Sequence, residues 1–423
     1  MTVQCSRRSL FRLGRSALAT LGVAGWIDPL KAAAASSAPS PVDYYEKLGV
    51  EPIINAAGTY TDLTAAIMPP SVQAAVAEAA KRPVRLRDLQ LAAGKYLADK
   101  LHCEGALVSA GAASALTLGT AACITVANGN EDGRIPQLIP QGMASMKNEV
   151  IMQQGHRYAY DHALYCCGVR IVEIETVDEY RAAFSEKTVL AHFFNAATSG
   201  QIGREDWIAI AHQHNVPCMN DAAADMPPIS NLWNYTRMGF DLVTFSGGKG
   251  IRGPQNAGLL LGRSDLIAAA AKNNNSIDDV VGRGQKVAKE QIVGMVAAVD
   301  WLLTQTDAGM EAEFRARAQR IADAVKHIPT MTSQIYLPPV ANHVPTLLLT
   351  YDQSKVAIAP KEVARALRNS SPSIELHPAT GGSQPDLPPT TNAIVVGVWM
   401  LEPGQDLIVG RRLRQVLSGA IRS

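Results

Sequence analysis

The sequence has few aromatic residues and almost no net charge, and both deficits narrow the range of functions. Phe, Trp and Tyr make up 5% of the 423 residues, and 39 Lys and Arg residues nearly balance 38 Asp and Glu residues. No cluster of basic residues is interleaved with aromatic side chains, which is the pattern that binds a nucleic-acid backbone. We therefore expect a small-molecule substrate and no nucleic-acid partner.

The cysteines are too few and too irregularly spaced to organise the fold. There are six. Cys5 lies near the N-terminus, and the other five include the adjacent pair Cys166 and Cys167 and show no Cys-x-x-Cys spacing. The five cysteines that follow Cys5 are odd in number and lack metal-like spacing. This pattern argues against a disulfide scaffold and gives no support for a structural metal. We predict no metal site.

The apolar segment near the N-terminus is too short for a good membrane span. Residues 17–27 are modestly apolar, whereas a membrane helix needs about 20 such residues. They follow the twin arginines Arg7 and Arg8 and precede four alanines at 32–35. This order predicts a removable Tat-type export signal over residues 1–35, no permanent membrane anchor, and a periplasmic or otherwise exported protein. The alternative is a basic N-terminal arm.

The chain does have enough apolar sequence for a large core. Apolar residues form 47% of it. Strand-like runs alternate with helical stretches, as at 189–194, 207–214 and 216–219, which favours an α/β fold with a mostly parallel sheet. A helix predicted over 287–303 leads towards a smaller α+β part. We predict an arm over residues 36–64, a large domain over 65–304 and a small C-terminal domain over 305–423.

A lysine in a glycine-rich turn is the most informative feature of the chain. The turn at 246–253 holds Lys249 between glycines and follows the apolar run at 240–245. Glycine lets the backbone turn sharply and approach a ligand closely. A lysine presented in this way can form a Schiff base with a carbonyl cofactor. The alternative is a solvated loop lysine.

An aspartate follows another strand-like run upstream. Asp221 ends the run that begins at Val216 and precedes three alanines. Open α/β sheets bind ligands at the carboxyl ends of their strands. A carboxylate there can keep the ring nitrogen of pyridoxal phosphate protonated, which the cofactor needs to withdraw electrons. The alternative is that Asp221 caps a following helix.

A turn of small residues provides a candidate phosphate site. An apolar run leads through the turn at 109–113 into a helix rich in Ala and Leu. Backbone N–H groups at a helix start attract anions. The candidate residues are Ser109, Gly111 and Ala112, with Ser246 adding a hydroxyl from the lysine turn. The alternative is tight packing alone.

A histidine follows the strand-like run at 150–154. His156 is a candidate for stacking on the face of a cofactor ring or for moving protons. His162 lies close by, so the choice between these two histidines stays open, and either could be a structural residue.

Together these segments resemble the fold-type-I pyridoxal phosphate enzymes. They are most similar to the selenocysteine-synthase-like group, which includes L-seryl-tRNA(Sec) selenium transferase and D-glucosaminate-6-phosphate ammonia-lyase. The resemblance extends over most of the chain and includes the stretches 52–59, 87–90 and 282–294. It implies a fold-type-I large domain with a mostly parallel sheet, a smaller α+β C-terminal domain, and at least a homodimer.

The resemblance also implies a role for each candidate residue. Pyridoxal 5'-phosphate would be held by Lys249 as an internal aldimine, with Asp221 against the pyridine nitrogen and His156 over the ring. The phosphate would lie among Ser109, Gly111, Ala112 and Ser246. Selenium transferases typically carry an aspartate immediately before this lysine, whereas this chain has Gly248 there, which looks more like the ammonia-lyase branch.

The expected reaction is an α,β-elimination on an amino acid or amino-sugar acid, with Lys249 and His156 as catalytic residues. Arg283 or Arg252 could clamp the substrate carboxylate, and both could instead be structural. A pyridoxal-phosphate-dependent racemase or aminotransferase would begin from the same carbanion. A different class of protein, a non-catalytic cofactor-binding or amino-acid-binding module, is the further alternative.

Overall fold

Twelve strands are found in the part of the chain that the structure describes. The computed structural model describes residues 42–130, 133–197, 199–274, 279–385, 387–388 and 392–422. In chain order the strands are β1 (Ile53–Ala56), β2 (Gly105–Ser109), β3 (Glu149–Gln153), β4 (Arg170–Ile174), β5 (Thr188–Phe194), β6 (Cys218–Asp221), β7 (Leu242–Ser246), β8 (Gly258–Gly262), β9 (Thr332–Tyr336), β10 (Thr346–Thr350), β11 (Ser373–Leu376) and β12 (Ile394–Gly397).

A seven-stranded sheet forms the centre of the fold. Its order is β2-β8-β7-β6-β5-β3-β4. The strands from β7 to β4 pair in parallel, and β8 runs antiparallel to both of its neighbours. The strands β3 and β8 are buried along their whole length, as expected of a sheet covered by helices on both faces. The predicted α/β fold with a mostly parallel sheet is confirmed.

Helices pack on both sides of this sheet and form two apolar cores with it. They are α2 (Pro70–Ala80), α3 (Leu86–Leu101), α4 (Gly111–Ala127), α5 (Ile135–Leu138), α6 (His162–Tyr165), α7 (Val177–Ala183), α8 (Arg204–Gln213), α9 (Asn231–Met238), α10 (Ser264–Asn273) and α11 (Lys289–Leu302), which are numbered after the short helix α1 (Tyr44–Leu48). Helix α11 corresponds to the one predicted over 287–303, and it begins and ends within those limits.

A third apolar core lies in the C-terminal part of the chain, around two smaller sheets. One has the order β12-β10-β9, and the other pairs β1 with β11 in parallel. Helices α12 (Asp307–Val325), α13 (Pro360–Arg368) and α14 (Gln405–Ser418) cover them. Strands β1 and β11 are far apart in the chain. Because they pair in parallel, their carboxyl ends lie at the same edge of this small sheet.

The backbone contacts divide the chain into the units Met1–Pro52 and Ile53–Ser423. In the first unit, α1 is capped by the Asp43 side chain, which accepts hydrogen bonds from the N–H groups of Tyr45 and Glu46. The export signal predicted over residues 1–35 lies outside the described residues. No helix among the described residues combines the length and the apolar character that crossing a bilayer requires.

Candidate active site

The carboxyl ends of β6 and β7 bring together the two residues that the sequence singles out most clearly. Asp221 is the last residue of β6 and is in register with Thr244 on β7, and Lys249 follows three residues after β7 ends. Both residues line one cavity of about 350 Å³. Because neighbouring parallel strands end at the same edge of a sheet, two segments separated in sequence meet at one ligand site.

Asp221 is buried and accepts hydrogen bonds on both of its oxygens. Its Oδ1 accepts from the Ala223 N–H at 3.0 Å and from the Thr244 hydroxyl at 3.3 Å. Its Oδ2 accepts from the Tyr158 hydroxyl. Burial raises the pKa of Asp221, and the hydrogen bonds together with the positive charge of Lys249 oppose that rise. The carboxyl is therefore fixed in place, but its hydrogen bonds and Lys249 offset only part of the cost of removing its charged form from water.

Lys249 lies in a loop whose backbone leaves room only for glycine at two positions. A Cβ atom on Gly248 would lie 2.6 Å from the Gln255 Cα, and one on Gly250 would lie 2.0 Å from the Met226 carbonyl oxygen. Burial lowers the pKa of the Lys249 amine, and the neighbouring Asp221 and Asp225 oppose this. An amine with a lowered pKa is a better nucleophile near neutral pH, which suits attack on a carbonyl group.

The predicted phosphate turn forms at the same edge of the sheet. Gly258 on β8 is in register with Ser109 on β2 and with Ser246 on β7, so it lies between the two serines. A Cβ atom on Gly258 would lie 2.5 Å from the Gly111 carbonyl carbon, so the start of α4 packs directly on this strand. Ala112 follows in the first turn of that helix.

The start of α4 has the properties of an anion site. Among the described residues, no side chain caps this 17-residue helix, so its first N–H groups stay available to an anion. Four predicted phosphate residues therefore come together here: Ser109, Gly111, Ala112 and Ser246. They are not among the described residues that line the cavity of Lys249 and Asp221.

His156 is buried beside two consecutive phenylalanines of β5. Its Nδ1 accepts a hydrogen bond from the Phe194 N–H at 3.2 Å, and its ring meets the edge of Phe193 with centroids 4.5 Å apart. Burial lowers its pKa to about 4. Neither His156 nor the exposed His162 is among the described residues that line the cavity. The catalytic role of His156 stays a prediction.

Tyr158 makes the contact with Asp221 that sequence reasoning did not identify. Its ring stacks on Phe194, with centroids 3.9 Å apart and planes 14° apart, and Phe194 lines the cavity. Burial raises the pKa of Tyr158, and the neighbouring Asp221 raises it further, so the phenol keeps its proton and donates it. The available signal in the sequence was only that an aromatic residue stands two positions after His156.

The two predicted substrate-binding arginines lie elsewhere. Arg252 donates from Nε to the Ile67 carbonyl oxygen at 2.9 Å and from Nη2 to Glu402 at 3.1 Å. Its guanidinium also lies 5.6 Å from the centre of the Trp301 ring. Arg283 is exposed in a short 3₁₀ helix. Neither is among the described residues that line the cavity, so their role as carboxylate clamps stays a prediction.

Three polar side chains from distant segments form another wall of the cavity, which we call the polar wall: Tyr60, His377 and Gln384. The Tyr60 hydroxyl lies 3.0 Å from His377 Nε2 and donates to Gln384 Oε1 at 3.3 Å. Sequence reasoning missed all three, because Tyr60 and His377 are 317 residues apart.

A second polar cluster lies at the opposite edge of the sheet. Asp241 Oδ2 lies 2.9 Å from His212 Nε2 and accepts from the Cys218 thiol at 3.3 Å, and Oδ1 accepts from Arg263 at 2.9 Å. The atoms of His212, Cys218 and Asp241 lie close enough together to ligate a metal ion. Cysteine spacing gave no sign of this cluster. Arg263 already balances the charge of the aspartate.

This chain resembles known proteins in sequence and in fold. The family model described as Aminotransferase class-V matches residues 166–370. The chain is 27% identical to a 5'-C-glycyluridine monooxygenase-decarboxylase from Streptomyces, covering 88% of this chain and 92% of that protein. It is 26% identical to a D-glucosaminate-6-phosphate ammonia lyase from Salmonella typhimurium, covering 77% and 86%.

A further relative and a solved structure extend these likenesses. An L-seryl-tRNA(Sec) selenium transferase from Moorella thermoacetica is 26% identical over 70% of this chain and 62% of its own length. A solved structure of D-glucosaminate-6-phosphate ammonia-lyase superimposes with a TM-score of 0.75 at 24% identity, covering 90% of this chain and all of that one. The fold is the one that the sequence predicted.

Proposed function

Since this chain belongs to the fold-type-I pyridoxal phosphate enzymes, we propose that it is a lyase that releases ammonia from an amino acid or amino-sugar acid by α,β-elimination. Its cofactor is pyridoxal phosphate. One observation carries the proposal, namely that Lys249 and Asp221 line the same cavity at the carboxyl edge of the sheet. When bound, the cofactor draws electrons away from the α-carbon of the substrate.

The residues of the site fit this cofactor. Lys249 supplies an amine whose pKa is lowered by burial, and Asp221 supplies a buried carboxyl held by three donors. The uncapped start of α4, beside Ser246, supplies backbone N–H groups for a phosphate. We infer that Lys249 binds the aldehyde carbon, that Asp221 holds the proton on the ring nitrogen, and that the turn at 109–112 holds the phosphate.

Lys249 is also the group best placed for proton transfer. Once the substrate amine has taken its place at the aldehyde carbon, the released Lys249 amine, with its lowered pKa, would take a proton from the α-carbon near neutral pH. The same amine, once protonated, can give that proton to the oxygen that leaves the β-carbon, which becomes water. The unsaturated amine that remains is hydrolysed to ammonia and a keto acid. This assignment gives His156 no direct part in proton transfer.

A second candidate reaction is favoured by one relative. The 5'-C-glycyluridine monooxygenase-decarboxylase matches 88% of this chain, so loss of the carboxylate with consumption of oxygen is the alternative outcome at the same α-carbon. Oxygen uptake together with release of carbon dioxide would identify it, whereas elimination releases ammonia without oxygen. Racemisation and transamination would show neither oxygen uptake nor release of ammonia.

The experiment that tests the proposal is absorbance spectroscopy of the purified protein loaded with pyridoxal phosphate. We expect a visible band that borohydride abolishes in the wild type and that is absent or shifted in Lys249→Ala. The matched control is Lys326→Ala, because Lys326 is exposed beside Asp323. Amino acids and D-glucosaminate are then screened for release of ammonia and keto acid. No band with added cofactor would contradict the proposal, and a stable band without turnover would favour a binding protein.

We also propose that the protein is exported and acts as a homodimer or a higher homo-oligomer. The export proposal rests on the twin arginines Arg7 and Arg8 before an apolar segment, and the oligomer proposal rests on the family. Retention in the cytoplasm after Arg7→Lys with Arg8→Lys is the expected result for export, and unchanged fractionation would contradict it. Sedimentation of the cofactor-loaded protein as a monomer would contradict the oligomer.

A further inference from the structure

The polar wall is assembled by the pairing of two short strands. Ala56 on β1 is in register with Leu376 on β11, and both strands run in the same direction. Tyr60 follows the end of β1 by four residues, and His377 follows β11 directly, so both side chains emerge at the same edge. Their rings meet edge to face with centroids 5.5 Å apart. The sheet therefore fixes the spacing of these two groups before any ligand binds.

The hydrogen bonds of the polar wall have a defined direction. The Ala379 N–H donates to His377 Nδ1 at 3.2 Å, so the proton of the neutral ring lies on Nε2. That nitrogen donates to the Tyr60 oxygen, and the Tyr60 hydroxyl donates in turn to Gln384 Oε1. The wall thus presents hydroxyl, imidazole and amide groups that are ordered by one another.

The polar wall is uncharged at neutral pH. Burial lowers the pKa of His377 to about 4, so its ring carries no proton on Nδ1 when the medium is neutral. The apolar side chains of Leu387 and Trp399 line the same cavity. Tyr60, His377 and Gln384 offer no opposite charge to a charged group brought against them, whereas a hydroxyl can exchange hydrogen bonds with each member.

We propose that Tyr60, His377 and Gln384 form a substrate subsite that binds uncharged hydroxyl groups. The substrate class is then a hydroxylated amino acid or amino-sugar acid whose side chain carries no phosphate. This inference rests on the proposed function, since it concerns the substrate that enters the cavity of Lys249 and Asp221. It assigns three specificity-determining residues that lie outside the segments expected to hold the cofactor.

The test measures binding to the cofactor-loaded enzyme through the change in its visible absorbance. The probes are D-glucosaminate, D-glucosaminate 6-phosphate and D-alanine, which has no side-chain hydroxyl. We expect the wild type to bind D-glucosaminate at least about tenfold more tightly than its 6-phosphate. Tyr60→Phe is expected to weaken D-glucosaminate binding about five- to tenfold, the value of one neutral hydrogen bond, and to leave D-alanine binding within about twofold.

Two further variants keep the test decisive. Tyr96→Phe removes a hydroxyl that donates to Asp300 on the surface, and it is expected to change neither affinity. Gln384→Ala probes the same wall from a different segment if Tyr60→Phe fails to fold, and it is expected to weaken D-glucosaminate binding selectively.

The outcomes separate this subsite from the proposed reaction. Equal affinity for D-glucosaminate and its 6-phosphate, or equal loss of D-glucosaminate and D-alanine binding in Tyr60→Phe, would overturn the subsite even if ammonia is released. Selective binding without any ammonia release would support the subsite and overturn the elimination. No absorbance change with any probe would overturn both.

Discussion

Two buried aspartates lie at opposite ends of the same pair of strands and have different partners. Asp221 ends β6 at the carboxyl edge of the sheet, and Asp241 comes directly before β7 at the other edge. Asp241 is paired with Arg263 and His212. The hydrogen bonds recorded for Asp221 come from neutral groups: the hydroxyls of Tyr158 and Thr244 and a backbone N–H.

The pKa directions of the two carboxyls follow from this difference. Burial alone would raise both. The hydrogen bonds of Cys218 N–H, His212 and Arg263 outweigh burial at Asp241 and lower its pKa, whereas burial prevails at Asp221 and raises its pKa. A carboxylate balanced by its own protein stabilises the fold. One left partly uncompensated at the edge of a cavity is suited to a cationic ring from outside.

Replacing Asp221 tests this contrast with the largest expected effect. Asp221→Asn should lower kcat about 10²- to 10³-fold with the cofactor still bound, because the amide cannot hold a proton on the ring nitrogen. It should not lower the melting temperature of the cofactor-free protein, since it removes a poorly compensated buried charge. Turnover and calorimetry check both. Asp300→Asn, an exposed change, is the control, and wild-type turnover in Asp221→Asn would contradict the assignment.

The matching change at the other edge should have the opposite profile. Asp241→Asn should lower the free energy of unfolding by about 2 kcal/mol, less than for a fully buried pair because Arg263 is partly exposed. Turnover well below the melting temperature should stay at the wild-type value. Denaturant titration gives the measurement. Asp265→Asn, which removes an exposed partner of the same arginine, should cost less than about 0.5 kcal/mol. A large loss of kcat in Asp241→Asn would contradict a purely structural role for Asp241.

Removing the Tyr158 hydroxyl should have an intermediate effect on the reaction. Tyr158→Phe keeps the stacking on Phe194 but takes one donor from Asp221, which should raise the pKa of that carboxyl further. We expect kcat to fall about tenfold with little change in KM, together with a shift in the pH dependence of the cofactor absorbance. Tyr96→Phe serves as the control. If KM changes and the absorbance profile does not, Tyr158 acts on substrate instead of on Asp221.

The acid dependence of stability should separate the two aspartates by sign. The pKa of Asp241 is lowered from 3.8, so its stabilising contribution is present above about pH 4 and is lost as the pH falls through the lower folded value. The stability difference between the wild type and Asp241→Asn should therefore shrink by about 1 kcal/mol from pH 5 to pH 3. The pKa of Asp221 is raised, so the cofactor-free wild type should become more stable relative to Asp221→Asn as the pH falls. Parallel curves would contradict both directions.

The segments that carry Asp221 and Lys249 could be predicted because their signals are local. Each follows a short apolar run, and the glycines around Lys249 are required by contacts within a few ångströms of the backbone. Parallel strands end at a common edge, so the meeting of the two residues followed from the α/β pattern. The turn at Ser109 was predictable for the same reason, because it joins a strand to a helix.

The places where prediction and structure differ depend on side-chain direction or on distant contacts. His156 and Tyr158 lie in one short loop after β3, and the sequence could not show that the histidine turns towards Phe193 while the tyrosine reaches Asp221. Arg252 follows Lys249 closely, yet its partner Glu402 lies 150 residues away and holds it outside the cavity. Irregular loops have no periodicity from which such directions can be read.

The sequence by itself determined the layered α/β fold and the lysine and carboxylate that line one cavity, because strand, turn and helix signals are encoded within a few residues. The tertiary structure decided which side chains surround those two residues. Tyr60 and His377 come together only through the pairing of β1 with β11. Such a pairing is selected by the packing of the whole C-terminal core, and no single segment of the chain contains that information.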